Sequence, residues 1–190
     1  MSLEFPGKDL LLARVDSAFG GDCPFEITTC LRKALCDSIA DERIRLPDAV
    51  FEALPDHYAR REVHHDPVHG YSMIAMTWGP GQGTPIHDHA GMWCVEGVWS
   101  GCIEVVSYEL LEKEGDRFRF EQAGSIMAGC GSAGSLIPPR EYHTIRNVSG
   151  DKPAVSLHIY SGEMTCCNVF ERETDAWHRR EQRDLQLDAD

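Results

Sequence analysis

Two histidines one residue apart, His87 and His89, constrain this chain more than any other feature. They lie within residues 81–101, a glycine-punctuated stretch that reads as β. Side chains on a strand point to one face with a period of two, so both imidazoles look the same way. Two imidazoles side by side on a sheet face form half of a common kind of metal site. A third ligand and a pocket have to come from elsewhere in the chain.

The rest of the composition narrows the setting for such a site. The chain has 190 residues, which suits one domain with a helical extension, and 42% hydrophobic residues are enough for a packed core. The net charge of -13 argues against a nucleic-acid surface and against attraction to anionic membranes. One or two placed arginines would still let it bind an acidic small molecule. No apolar run approaches the length of a membrane span. The N-terminus lacks a basic region followed by an apolar stretch, so no secretory signal is expected. Cys23, Cys30, Cys36, Cys94, Cys102, Cys130, Cys166 and Cys167 then read as reduced thiols of a cytoplasmic protein. No pair of CxxC motifs is present, so a zinc site built on cysteine is not expected. The expected partners are a small molecule, neither nucleic acid nor membrane, in a monomer or small homo-oligomer.

In chain order, residues 8–57 read as helical. Leu10, Leu11, Val15 and Phe19 recur at helical spacing, and Gly20 and Gly21 end that segment. Pro24 opens a second helix with Ile27, Leu31, Ala34, Leu35 and Ile39 as its apolar stripe, and Pro47 opens a short third segment. From residue 71 the period becomes two, with strands predicted over 71–78, 95–99, 103–110, 118–122, 142–147, 154–160 and 168–171. Residues 125–135 are small and Gly-rich, and His64, His65 and His69 fall in a polar loop. Residues 175–190, mostly charged, are expected to form a frayed or surface helix. Many short strands separated by turns predict an all-β barrel or jelly roll with an N-terminal helical extension. One domain over 1–190 is expected: extension 1–57, barrel 58–172, polar tail 173–190.

The spacing Gly81, His87, His89, Cys94, Gly101 resembles the first motif of the cupin superfamily. Pro138, His143 and Asn147 resemble its second motif, with Arg140 where glycine is common. The resemblance implies a small barrel holding one metal on His87, His89 and His143. Cys94 stands where many cupins carry a fourth, glutamate ligand. Ser156, His158 and Tyr160 alternate, so all three face one side of a strand. Alone they read as satisfied polar residues of a barrel wall. Beside the three histidines, the segment Ser156-Leu-His158-Ile-Tyr160 resembles the matching strand of the cysteine dioxygenases and related thiol dioxygenases. Ser156 would then fix His158, and His158 the phenol of Tyr160.

That resemblance implies further roles. Tyr58-Ala-Arg60 matches the family's Tyr-x-Arg segment, so Arg60 would grip a substrate carboxylate with Tyr58 beside it. Read without the family, Arg60 and Arg61 would be surface charge. Animal cysteine dioxygenases join the residues matching Cys94 and Tyr160 as a thioether; both partners are present here, and the crosslink stays open. The segment Met164-Thr-Cys166-Cys167 resembles one that passes near the substrate, with plain core as the other reading. Asp88 should face away from the ligands and brace its strand.

Three neutral imidazoles leave room for a thiolate, a second substrate group and O2 on Fe(II), the metal the family implies. Zinc fits the same donors. The implied activity is oxidation of a small carboxylate-bearing thiol by O2 to its sulfinate. L-Cysteine comes first as substrate. Mercaptosuccinate or 3-mercaptopropionate follows, because Ser161-Gly162-Glu163 departs from the animal pattern and Arg61, Arg140 and Arg146 offer spare cations. The rival readings are another metal-dependent cupin enzyme and a non-catalytic metal-binding cupin acting as a small-molecule sensor.

Overall fold

The structure, a computed structural model, describes residues 3–174 and 176–189. Its first part is helical for the reasons the sequence suggests. Helix α1 (Lys8–Asp16) buries Leu11 and Val15, and a 3-10 turn over Ser17–Gly20 carries the chain to a second helix. Helix α2 (Pro24–Ile39) starts with proline in its first turn, where the missing N–H costs nothing. Leu31, Ala34 and Leu35 make its buried face. A second 3-10 turn, Asp48–Phe51, precedes the strands.

The strands are β1 (Ala59–His65), β2 (Ser72–Trp78), β3 (Ile86–His87), β4 (Cys94–Ser100), β5 (Cys102–Glu114), β6 (Arg117–Gly129), β7 (Ala133–Leu136), β8 (His143–Asn147), β9 (Ala154–Tyr160), β10 (Cys166–Arg172) and β11 (Trp177–Asp184). One sheet runs β1-β2-β9-β4-β7. The other runs β10-β11-β6-β5-β8-β3 and closes on itself through β3 and β10. Every ladder is antiparallel. The fold is therefore all-β, a small cupin jelly-roll barrel with an N-terminal helical extension.

Helix α2 lies on the outer face of the first sheet. Gly97 on β4 makes the close approach possible: a Cβ there would stand 3.2 Å from Leu35 Cδ1 and Ile39 Cδ1. Helix and sheet share one apolar core through Leu31, Leu35, Val95, Leu157 and Ile159. The opposite faces of β2, β4 and β9 turn into the barrel, where Met76, Trp78, Cys94 and Tyr160 pack against Ile103, Ile145 and Val169.

Two local expectations are corrected. Trp177–Asp184 is a strand, not a surface helix, and it extends the barrel beyond residue 172. Its sequence has no apolar helical stripe, whereas pairing with β10 satisfies its backbone and leaves its charges in water. Ion pairs such as Arg183 with Glu171 on β10, and Arg180 with Asp116 in the turn between β5 and β6, suit that surface. Ala59–His65 is also a strand, so His64 and His65 are not loop residues. Residues 125–129, part of the small and Gly-rich stretch, complete β6.

Asn147 ties the end of β2 to the end of β8. Its fully buried amide donates to Trp78 O, Gly79 O and Lys152 O, and its Oδ1 accepts from Ser149 N. Asn147→Ala strands these carbonyls in the interior. The expected loss of unfolding free energy is about 1–3 kcal/mol. A urea titration at unchanged m value measures it.

Candidate metal centre and the cavity beside it

His87 ends β3 and His143 opens β8, and the two are Cα partners across that ladder. His89 follows two residues later. Their ring centroids lie 4.3 Å (His87–His143), 5.1 Å (His89–His143) and 5.4 Å (His87–His89) apart. One nitrogen of each lies within 4.8 Å of the others, the only such cluster among the described residues.

The donor set fits a metal. His143 Nδ1 bonds to Glu141 O at 2.7 Å, and His87 Nδ1 to Pro85 O at 3.2 Å. Each ring is thereby a donor at Nδ1 and keeps Nε2 as a lone-pair donor for a cation. His143 Nε2 is buried without a hydrogen-bond partner. An imidazole nitrogen in that position is costly unless something binds it. Burial lowers the pKa of all three rings, most strongly for His89 and His143, so they are neutral, as metal ligands must be.

Two acidic residues support the cluster. Asp88 faces away from the rings and accepts from Asn168 N, Asn168 Nδ2 and Ala90 N, tying the histidine segment to β10 as expected. Glu141 is a supporting group the sequence reading missed. Its carboxylate accepts the His89 backbone N–H at 3.0 Å and lies 3.5 Å from His89 Nδ1. Burial raises its pKa to about 7. Proximity in sequence to His143 was the available signal, but the side chain acts on a different ligand.

Beyond the histidines, Ala90 and Gly91 both take positive φ, which resets the strand alternation. Cys94 therefore reaches the barrel interior, fully buried, as the Cα partner of Tyr160. Ser156 Oγ and His158 Nε2 are 2.8 Å apart, and Trp78 Nε1 donates to Ser156 Oγ at 2.9 Å. The next link of the anticipated relay is not formed. Among the described residues no hydrogen bond joins His158 to Tyr160, whose ring centroids are 6.1 Å apart. Cys94 Sγ sits 3.9 Å from His158 Nδ1 instead. Burial pushes the Cys94 thiol and the Tyr160 phenol well up, so both are protonated. It takes His158 down to about 3, so that ring is neutral.

Tyr58, Arg60, Trp78, His87, His158 and Tyr160 surround one cavity of about 20 Å3, with Met164, Cys167 and Leu185 also on its wall. Tyr58 stacks on Trp78 at 4.6 Å. Arg60 is 4% exposed and hydrogen-bonds to Gln186 O and Met164 O. Its Nε has no partner, and no carboxylate pairs with its guanidinium among the described residues. Cys167 lies on the cavity wall and packs in the core beside it, so its two readings meet. The spare cations do not: Arg61 alternates to the other face, onto Thr77 Oγ1 and Glu52 O, while Arg140 and Arg146 are exposed. His57 is held outside by Asp56 and Asp188. His178 is half-buried on β11.

If Glu141 orients His89, Glu141→Gln keeps an acceptor for the backbone N–H but loses the charge facing the ring. Metal affinity should fall by about 10–100-fold, measured by competition with a chelator.

The family model described as Cysteine dioxygenase type I matches residues 48–173. Cysteine dioxygenase type 1 of Rattus norvegicus is 29% identical over 112 residues, covering 55% of this chain and 51% of that protein. The Homo sapiens protein of the same name is 28% identical over 112 residues with the same coverage. The chain thus spans about half the length of the curated relatives it matches. Among solved structures, a Klebsiella pneumoniae protein with a double-stranded β-helix domain aligns at TM-score 0.48 and 16% identity, over 70% of this chain and 100% of that one. The Schizosaccharomyces pombe Cnp3 cupin domain aligns at TM-score 0.45 and 11% identity, over 65% and 77%. With most of the barrel covered by the family match, the chain belongs to the cysteine dioxygenase type I family.

Proposed function

We propose that this protein is a non-haem iron thiol dioxygenase, converting a small carboxylate-bearing thiol and O2 to the sulfinate and a proton. The observation that carries the reading is the neutral three-histidine cluster, whose His87 lines a cavity shared with Arg60 and Tyr160. Fe(II) on His87, His89 and His143 would supply the oxygen chemistry and favour the substrate thiolate over the thiol. The protein contributes no anion to that centre, so the anion arrives with the substrate.

Arg60 takes the carboxylate. Its guanidinium is buried, bonds only to backbone carbonyls and leaves Nε without a partner, so an incoming carboxylate gains a charge-assisted pair. The cavity is too small for a thiol acid as it stands, so Met164 or Leu185 must give way on binding. Tyr58 and Trp78 form the apolar wall opposite. Tyr160, beside His89 at 5.6 Å between ring centroids, presents a protonated phenol as hydrogen-bond donor. Among the described residues Arg60 is the only arginine on the cavity wall, which favours a monocarboxylate, L-cysteine or 3-mercaptopropionate, over mercaptosuccinate. All eight cysteines are free thiols, in keeping with a reducing compartment such as the cytoplasm.

An oxygen electrode with Fe(II)-loaded protein tests the reading against cysteine, cysteamine, 3-mercaptopropionate and mercaptosuccinate. Uptake should be fastest with cysteine and slowest with cysteamine. Arg60→Gln should raise KM for the carboxylated thiols by about 10–100-fold and leave cysteamine unchanged. Iron binding without oxygen uptake on any thiol would favour the sensor instead.

The Cys94–Tyr160 thioether is part of the same proposal. The two are Cα partners on adjacent strands, and their neighbouring groups are buried together. Peptide mass spectrometry of protein after turnover with Fe(II) and O2 should find the two residues joined. Quantitative alkylation of Cys94 in active protein would rule the link out.

A further inference from the structure

Two cavities meet at the Ser156–His158 pair. His158 lines the one that holds His87, Arg60 and Tyr160. Ser156 lines another, of about 130 Å3, together with Glu96 on β4. The walls of this far cavity include Val98, Ile103, Val105 and Ala128, and exposed Ile126 and Met127 also border it.

Glu96 is out of place in such a wall. It is 8% exposed, and its Oε2 has no hydrogen-bond partner. A buried carboxylate without donors destabilises the fold, so packing does not account for it. It is the Cα partner of His158 across β4 and β9, with Oε2 3.7 Å from His158 Nδ1. At that distance the contact is electrostatic rather than a formed hydrogen bond.

The hydrogen-bond accounting around His158 gives the carboxylate a task. Trp78 Nε1 can only donate, and it donates to Ser156 Oγ. Ser156 then has its own proton to give to His158 Nε2. In that arrangement the neutral ring carries its proton on Nδ1, facing Glu96 Oε2 and Cys94 Sγ. An ionised Glu96 favours it as an acceptor. A protonated Glu96 favours the opposite arrangement, in which Nδ1 is bare towards the carboxyl and Nε2–H points at Ser156. One proton on Glu96 therefore selects the His158 tautomer.

Resting on the dioxygenase reading above, we propose that Glu96 is a positioning residue. It sets which nitrogen of His158 carries the proton, and the far cavity exchanges its own proton with solvent. The titratable groups facing it are His158 and Tyr160 on β9 and Cys94 on its own strand, while across the cavity β5 and β6 bring apolar side chains. Burial raises Glu96 to about 7, so its proton comes and goes near neutrality. Below that value the carboxyl is protonated, and above it the Nδ1–H form of His158 is favoured.

Two measurements test this on the full chain. Nitrogen-15 spectra of Zn(II)-loaded protein, which is diamagnetic, report the His158 tautomer. In the wild type it should change as pH passes through about 7, the value to which Glu96 is raised. In Glu96→Gln it should stay fixed across the same range. The Fe(II)-loaded variant should lose about 10–100-fold in kcat, with KM within about twofold and a flattened pH profile. Glu96→Leu gives the same readouts if the glutamine variant folds poorly. Coincident His158 spectra in wild type and variants overturn the proposal. So does a shifted tautomer with wild-type turnover. A wild type that consumes no O2 with any thiol overturns the dioxygenase reading itself, and that shows before any variant is compared.

Discussion

The site depends on keeping three imidazoles dry and neutral. Each has its pKa lowered chiefly by burial, and two are held by backbone carbonyls at Nδ1. A protonated cluster could not exist there, because like charges at these separations in a low-dielectric interior repel strongly. Left neutral without a cation, the buried Nε2 of His143 lacks a partner. The interior is thus built around lone pairs that a metal satisfies. The β3–β8 pairing that joins His87 to His143 is the shortest ladder of the barrel, and it is braced by Asp88 on one side and Glu141 on the other.

The second organising constraint is the antiparallel register of β4 on β9. It pairs Cys94 with Tyr160, Glu96 with His158 and Val98 with Ser156. Directly opposed residues on a sheet face lie close enough to interact, so this one ladder places thiol against phenol and carboxylate against imidazole. Slipping β4 by one residue would send Cys94, Glu96 and Val98 to the wrong face. Gly97 on the reverse face receives Leu35 and Ile39 of α2, so helix packing and site register are locked through the same strand. The N-terminal extension thereby contributes to the site without touching it.

Much of this was legible in the chain, and the parts that were not share a physical reason. Period-two patterning located β2, β4, β8 and β9, because each has a face that must be apolar. The His-x-His spacing, with His143, marked the cluster, and the resemblance to thiol dioxygenases marked Arg60 and the Ser156–Tyr160 strand. Strands β1 and β11 were missed because Arg60, Arg61 and the charges of 178–184 hide the alternation. In β1 those arginines are buried and hydrogen-bonded to backbone and hydroxyl acceptors that no local window contains. Glu96 and Glu141 were missed for a related reason. A glutamate in a strand, as Glu96 is, or just before one, as Glu141 is, reads as solvent-facing, and only the three-dimensional neighbour, His158 or His89, shows otherwise.

The anticipated chain from Ser156 through His158 to Tyr160 assumed that alternation on one strand makes a continuous relay. Same-face neighbours on a strand are too far apart for that unless the side chains lean together. Ser156 and His158 do so, because Trp78 fixes the serine oxygen from β2. His158 and Tyr160 do not, and Cys94 from the adjacent strand lies against His158 in that region. The polar network therefore runs across strands, from Trp78 through Ser156 and His158 towards Cys94 and Glu96. What reaches the metal side is decided by the groups on β4 as much as by the motif on β9. Cys94, where other cupins place an anionic ligand, leaves the centre neutral, and Glu96, one step deeper, keeps a carboxylate close to the site but out of reach of the metal.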